Sequence, residues 1–235
     1  MIKGIYHAAR SLETQNKNME RIANNLANLN TIGYKREGMF IQILNQLGGP
    51  QIKSPVDLTQ GEVFETKNPL DIAIVGVGLF VVKTDKGYEC IRNGNFQISP
   101  EGFLVDKEGR KVIGKNGEIN LSEYKLDENN LLSISRNGEI KVGENSVDTL
   151  VIAKLDEDKY DYRKEGLNFD SISDIEELAE ESEYQLLQGY LEESNVNPIQ
   201  EMENMIRVSK DYESSYKMVI TLDESLQKSV EIGKI

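Results

Sequence analysis

The stretch Ala23-Asn24-Asn25-Leu26-Ala27-Asn28-Leu29-Asn30-Thr31-Ile32-Gly33-Tyr34-Lys35-Arg36 decides the fold, because a helix with an apolar seam runs out there into an asparagine-rich turn. Upstream of it, apolar or small side chains fall at alternating steps of three and four: Ile2, Ile5, Ala9, Leu12, Asn16, Met19, Ala23, Leu26. That period, near 3.5, is the spacing of a narrow helix-pairing seam rather than of a broad core-facing stripe. Arg10, Glu13, Gln15, Lys17, Glu20 and Arg21 keep the other faces too polar for burial in a globular core, so the helix needs a partner. Asn16 sits in the seam either as a buried, register-fixing amide or as a solvated interruption. Asparagines at 28 and 30 favour caps and turns, and Gly33 tolerates positive φ, so the helix is expected to stop near Asn28 to Asn30.

A second seam lies at the other end. Asn197 is a good N-cap, Pro198 suits the first helical position, and Gln200 sits at N3 where it can reach back. Beyond them Met202, Met205, Ser209, Tyr212, Tyr216, Val219, Asp223, Leu226 and Val230 repeat at three and four. The spacing predicts helices of about 27 and 33 residues, roughly 40 to 50 Å long, at the two chain ends.

Between them the texture changes. From about 62 to 153, short runs rich in Val, Ile, Phe and Tyr alternate with glycine turns, which predicts strands at 72–75, 79–84, 88–92, 95–98, 111–113, 132–134, 139–142 and 149–153. Asn-Gly pairs at 93–94, 116–117 and 137–138 predict type I′ hairpin turns. Gly76-Val77-Gly78 lacks the third glycine and the following helix of a phosphate-binding loop. Met39 to Leu44 reads as a short helix or a strand, and 45 to 60 as an extended connector broken by Gly48-Gly49-Pro50. The expected fold class is α+β: long terminal helices of coiled-coil type packed together, with an antiparallel all-β domain inserted. Its divisions are 1–60 (helix and connector), 61–190 (β-rich) and 191–235 (helix).

The strings Asn24-Asn25-Leu26-Ala27-Asn28 and Asn30-Thr31-Ile32-Gly33-Tyr34-Lys35, with the opening Met1-Ile2-Lys3-Gly4-Ile5-Tyr6, resemble the N-terminal signature of the bacterial flagellar rod and hook protein family. Gly78 to Val82, Arg92-Asn93-Gly94-Asn95-Phe96-Gln97-Ile98 and Gly102 to Val105 resemble consecutive blocks of its central domain. The stretch Gly189-Tyr190-Leu191-Glu192-Glu193-Ser194-Asn195-Val196-Asn197 and the helix after it, with Met202, Met205, Ile206 and Tyr212, resemble its C-terminal pattern. Lys210 and Ser215 depart from it, where arginine and asparagine are usual. The resemblance covers some four-fifths of the chain. It implies a rod subunit exported uncleaved by the flagellar type III apparatus and polymerised with itself and with other axial proteins of rod and hook. The terminal helices would line the inner wall of a tubular shaft, with the β domain outward. The short length and the compact continuation after Phe96 look more like the proximal rod subunit, with the distal one second. The assembly interface expected from seam and signature is Ile5, Leu12, Met19, Asn24, Asn25, Leu26, Asn28, Asn30, Gly33, Met202, Met205, Ile206, Tyr212, Tyr216, Val219 and Leu226.

Composition narrows the alternatives. Lys plus Arg number 27 against 40 Asp plus Glu, and a net charge of −13 would repel a phosphate backbone, so nucleic acid is not an expected partner. No apolar run approaches the ~20 residues that span a bilayer, and membrane insertion is not expected. The first residues lack the pattern of a cleaved secretory signal, which on its own points to the cytoplasm. The single cysteine, Cys90, reads as a strand residue, and the single histidine, His7, as a surface or interface residue of the first helix. Neither a nucleophile elbow nor a carboxylate pair in an apolar pocket is present, so no enzyme activity, metal or cofactor is expected. Residues 155 to 184 are strongly acidic but hold no calcium loop of the Asp-x-Asp-x-Asp-Gly type, and Ile172 to Ala179 could form a short helix there. Two other readings are a secreted β-rich adhesion module trimerised by a coiled coil, and a calcium enzyme built on the acidic segment.

Overall fold

The computed structural model describes residues 2–38, 40–42, 51–53, 56–85, 87–124, 132–154, 163–165, 168–169 and 183–232. They form two helices and a set of antiparallel sheets, an α+β protein. Contacts divide the chain into two compact units: a helical unit of 1–29, 37–54 and 196–235, and a β unit of 30–36 and 55–195.

In the helical unit, helix α1 runs Ile2–Ala27 and helix α2 runs Pro198–Ile232, 26 and 35 residues against the expected 27 and 33. Asn197 caps α2 as its chemistry dictates, its Oδ1 accepting the amides of Ile199 at 3.0 Å and Gln200 at 3.2 Å. Phe40–Gln42 pairs with Gln51–Lys53, which settles the helix-or-strand alternative there as strand.

In the β unit the largest sheet runs, in order, Arg163–Glu165, Asn168–Phe169, Gly87–Ile91, Leu79–Thr84, Lys111–Gly114, Leu104–Val105 and Gln97–Ile98. Gly117–Glu118 is added to Lys111–Gly114, and Ile152–Ala153 to Leu79–Thr84. Leu132–Ile134, Glu139–Val142 and Asn145–Thr149 form a meander. Leu79 to Val82, the first part of Leu79–Thr84, is a continuous apolar run because both its faces are covered there. Phe80 and Val82 point into a core with Ile72, Ile91, Phe96 and Leu104, while Leu79 and Val81 face Cys90, Ile113 and Val151. Phe80 and Phe96 meet edge to face, centroids 5.0 Å apart.

Strands continue beyond 153, where the expected strands stop: Tyr184–Gln188 pairs with Ile72–Gly76, and Tyr190–Glu192 with Val63–Glu65, so the chain returns to close the sheets it opened. One expectation is corrected: the Asn-Gly pairs do not form type I′ turns, since among the described residues Lys67 is the one non-glycine with left-handed φ. At 137–138 only Gly138 takes positive φ (91°), its amide bonded to Ser135 O at 3.0 Å in a longer hairpin loop. At 93–94 the glycine serves close approach instead: a Cβ on Gly94 would lie 1.7 Å from the Ile72 carbonyl oxygen. Of the acidic segment, residues 155–162, 166–167 and 170–182, including the expected helix Ile172 to Ala179, lie outside the described residues.

Candidate assembly site

The helical unit has an inward face and an apolar side. Gly4 lies against Leu222, and Gln15 Nε2 donates to Ser215 Oγ at 3.2 Å, so rising positions in α1 meet falling positions in α2 and the pair is antiparallel. The row of α1 turned inward is Gly4, Ala8, Ser11, Gln15, Asn18, Ile22 and Asn25, buried or half-buried throughout and mostly small or polar. It lies one position off the expected apolar row. Of that row, Leu12, Met19 and Leu26 are half-buried at the flank of the pair, Ala9, Asn16 and Ala23 are exposed, and the side chain of Ile5 lies outside the described residues. Asn16 is solvated, donating to Glu20 Oε1 at 2.9 Å.

In α2 the inward row is Glu201, Met205, Val208, Tyr212, Ser215, Val219, Leu222 and Leu226. Of the expected seam it keeps Met205, Tyr212, Val219 and Leu226, while Met202, Ser209, Tyr216 and Asp223 are exposed and the side chain of Val230 lies outside the described residues. Met202, Ile206 and Tyr216 show 56%, 58% and 52% of their surface, on the same helix as the exposed Ile199 and Ile220. Helix winding places the two leftover rows together. About 100° per residue carries Leu12, Met19 and Leu26 to one flank of the inward row of α1, and the opposite chain direction of α2 brings Met202, Ile206, Tyr216 and Ile220 to the same flank. The pair therefore presents one apolar side.

The asparagines do something else. Asn25 is fully buried and captures the backbone of Glu37 from both sides: its Oδ1 accepts the Glu37 amide and its Nδ2 donates to the Glu37 carbonyl, each at 3.0 Å. Arg21 donates to the same carbonyl. Asn28 Nδ2 bonds Asn24 O at 2.9 Å as the helix ends. Asn24 and Asn30 are exposed.

In the β unit, residues 33–36 lie alongside 192–195. Gly33 N donates to Glu192 O (2.8 Å), Asn195 N to Tyr34 O (3.4 Å) and Arg36 N to Asn195 Oδ1 (2.6 Å), while Asn195 Nδ2 bonds the Asp57 and Thr59 carbonyls. Gly33 (φ 68°) is buried there, with no room for a side chain: a Cβ would lie 2.7 Å from Asn93 N. Beneath this pair sits a buried ionic cluster. Glu192 Oε1 accepts Lys35 Nζ at 2.6 Å and Gly61 N at 2.9 Å, and Oε2 accepts Arg92 Nε at 2.6 Å. Arg92 also donates to the carbonyls of Gly78, Ile74 and Gly76, and Lys35 to those of Leu58 and Thr59. Two cations on one carboxylate leave a buried excess of positive charge. Burial first, and Arg92 second, hold the Lys35 ammonium below the usual lysine range against the pull of Glu192.

Lys35, Arg92, Glu192 and Asn195 were not among the expected site residues. The signal was nonetheless present, since each lies inside one of three strings that carried the resemblance: Asn30 to Lys35, Arg92 to Ile98, and Gly189 to Asn197. Those strings meet here.

Elsewhere the chemistry is quiet. His7 is exposed beside the Tyr6 ring. Burial pushes the Cys90 thiol up to about 12. Among the described residues no three His, Cys, Asp or Glu side chains gather as a metal site would need, and no helix is long and apolar enough to cross a membrane.

Comparison with known proteins follows the same three strings. Residues 5–35 match the family model of the flagella basal body rod protein, 73–142 that of the flagellar hook protein FlgE/F/G D1 domain, and 187–232 that of the flagellar basal body rod FlgEFG protein C-terminal region. Along its whole length the chain is similar to flagellar basal-body rod protein FlgF of Caulobacter vibrioides, 28% identical over 248 residues and covering 100% of both chains. It is 31% identical over 260 residues to flagellar basal-body rod protein FlgG of Buchnera aphidicola subsp. Baizongia pistaciae, covering 97% of this chain and 98% of that protein. FlgG of Bacillus subtilis is 25% identical over 264 residues, covering 100% of both. The chain belongs to the flagellar basal-body rod protein family.

Proposed function

We propose that this chain is a structural subunit of the flagellar basal-body rod that polymerises through the apolar side of its α1/α2 pair, giving a shaft that transmits torque from motor to hook. The observation that carries this reading is that side itself. Met202, Ile206, Tyr216 and Ile220 are exposed on α2 beside the half-buried Leu12, Met19 and Leu26 of α1, although the helices are already paired. Full burial of such a side chain from water is worth ~1.5 to 3 kcal/mol, and a repeated array recovers the share still exposed at every subunit. A heterologous contact that does not close into a ring grows as a helical filament. The protein is structural and not an enzyme.

In the assembled rod the helices pack in coiled-coil fashion with neighbouring subunits, as an axial core of 1–60 and 191–235, and the β domain of 61–190 is inserted between them. Partners are further copies of the chain, the other axial proteins of rod and hook, and the flagellar type III export apparatus, through which the chain passes uncleaved to the basal body. Nucleic acid and membrane insertion play no part. Asn24, Asn28 and Asn30, at the exit of α1, extend the interface.

Within the rod we assign the chain to the proximal segment, supported by its short length and the compact continuation after Phe96. The distal assignment stands second, supported by the higher identity to FlgG. Deleting the gene and imaging basal bodies by electron cryotomography separates them. A rod truncated close to the inner membrane is the expected result, a proximal rod lacking its outer part favours the distal assignment, and intact motile flagella overturn the rod reading.

A further inference from the structure

We propose that Lys35, Glu192 and Asn195 are positioning residues for assembly: they clamp together the two segments of the β unit, 33–36 and 192–195, that follow α1 and precede α2 in the chain. The cellular part of this inference rests on the rod reading above.

The clamp joins residues far apart in sequence. Lys35 and Glu192 are separated by 157 positions, yet both are buried and 2.6 Å apart. Lys35 comes eight residues after the end of α1 at Ala27, and Glu192 six residues before the start of α2 at Pro198. Asn195 holds the same two segments through its side chain and its backbone.

The charge count says what Lys35 is for. Without it, Glu192 and Arg92 would form a one-to-one pair with Gly61 N completing the carboxylate. The sheets thus have a balanced buried pair already, and adding a second buried cation works against folding rather than for it. What Lys35 adds is a side-chain anchor for residues 33–36, beside the bonds of Gly33, Tyr34 and Arg36 to 192–195. A buried ionic group that fixes one arrangement of the chain, and not its overall stability, is the use best attested for such groups.

The test compares the full-length wild type, Lys35→Met and Lys35→Arg by hydrogen exchange and by complementation of a strain lacking the gene. In Lys35→Met the amides of Gly33, Arg36 and Asn195 should exchange at least roughly tenfold faster, while those of Leu79–Thr84 stay within about twofold of wild type. Lys35→Arg should recover part of the protection. In cells Lys35→Met should fail to restore rods at wild-type protein levels. Unchanged exchange at 33–36 overturns the clamp. Protection lost throughout the sheets shows Lys35 to be an ordinary part of the fold and overturns it equally, as does a Lys35→Met strain with normal rods. Failure of the rod reading is distinct: a deletion strain with intact rods removes the assembly role, and the exchange measurement still decides the clamp.

Discussion

At the scale of single residues, the buried cluster at the exit of α1 gives unequal expectations for its members. Removing the carboxylate leaves Lys35 and Arg92 buried without the partner they share, so Glu192→Ala should cost ~3 to 5 kcal/mol in urea unfolding of the chain, whereas Lys35→Met should cost much less. Equal losses would contradict the charge count. Cys90 offers a second expectation. Its folded-state value of about 12 exceeds the ordinary thiol value of 9.0, so the stability tied to its protonated form is complete below about pH 9 and is lost as pH rises toward 12. Lys35 runs the other way, since its lowered value makes deprotonation easier in the folded chain. At pH 8 native Cys90 should therefore be inert to a thiol reagent such as DTNB and react fully once urea is added; prompt reaction of the native chain would show that its strand opens. Cys90 was legible as a strand residue from its neighbours alone. The roles of Lys35 and Glu192 were not, because a string of sequence shows residue types and local spacing but not which side chain 157 positions away closes a charge.

At the scale of elements, the helices were legible in length, caps and period, and their phase was not. A 3.5 repeat fixes the interval between inward residues, and in α1 two adjacent rows satisfy it: an apolar one at Leu12, Met19 and Leu26, and a small or polar one at Ser11, Asn18 and Asn25. Reading hydrophobicity selects the first. The structure turns the second inward, because small residues such as Gly4 and Ala8 let the helices approach and Asn25 is occupied with the backbone of Glu37. The apolar row is then left at the flank. It follows that the double variant Met202→Glu, Ile206→Glu should leave the thermal midpoint of the isolated chain within a few degrees of wild type, since both side chains are exposed, and should abolish rod formation in cells. A large drop in the midpoint would mean that these residues already pack within the chain. The hairpins fared similarly: Asn-Gly marked where the chain turns, but the turn type followed from loop length and tertiary contact, which local sequence does not carry.

At the scale of the whole molecule, the division into helical ends and a β-rich middle was legible from the change in periodicity near residue 62. The strand pairing beyond 153 was not, because the acidic run from 155 to 184 interrupts the alternating pattern. In fact 184–192 returns to pair with 63–65 and 72–76. Limited proteolysis of the monomer should accordingly give a resistant core that holds residues from about 56 to 154 together with 183 to 195, even if the chain is nicked between them, and mass spectrometry should find both fragments in one compact species. A stable core that ends at 153 would refute the pairing.

The clamp of residues 33–36 against 192–195 also bears on how such a chain can change over time. The pairing lies within the β unit and is made by residues 33–36 and 192–195 alone. Loops of that unit that take no part in it can lengthen, shed residues or accept a foreign peptide and leave its bonds as they were. Selection can thus rework those loops and conserve the grip independently, and an engineer who wishes to display a peptide on the molecule should graft it at the Asn116-Gly117 or Asn137-Gly138 turns, well away in sequence from either paired segment.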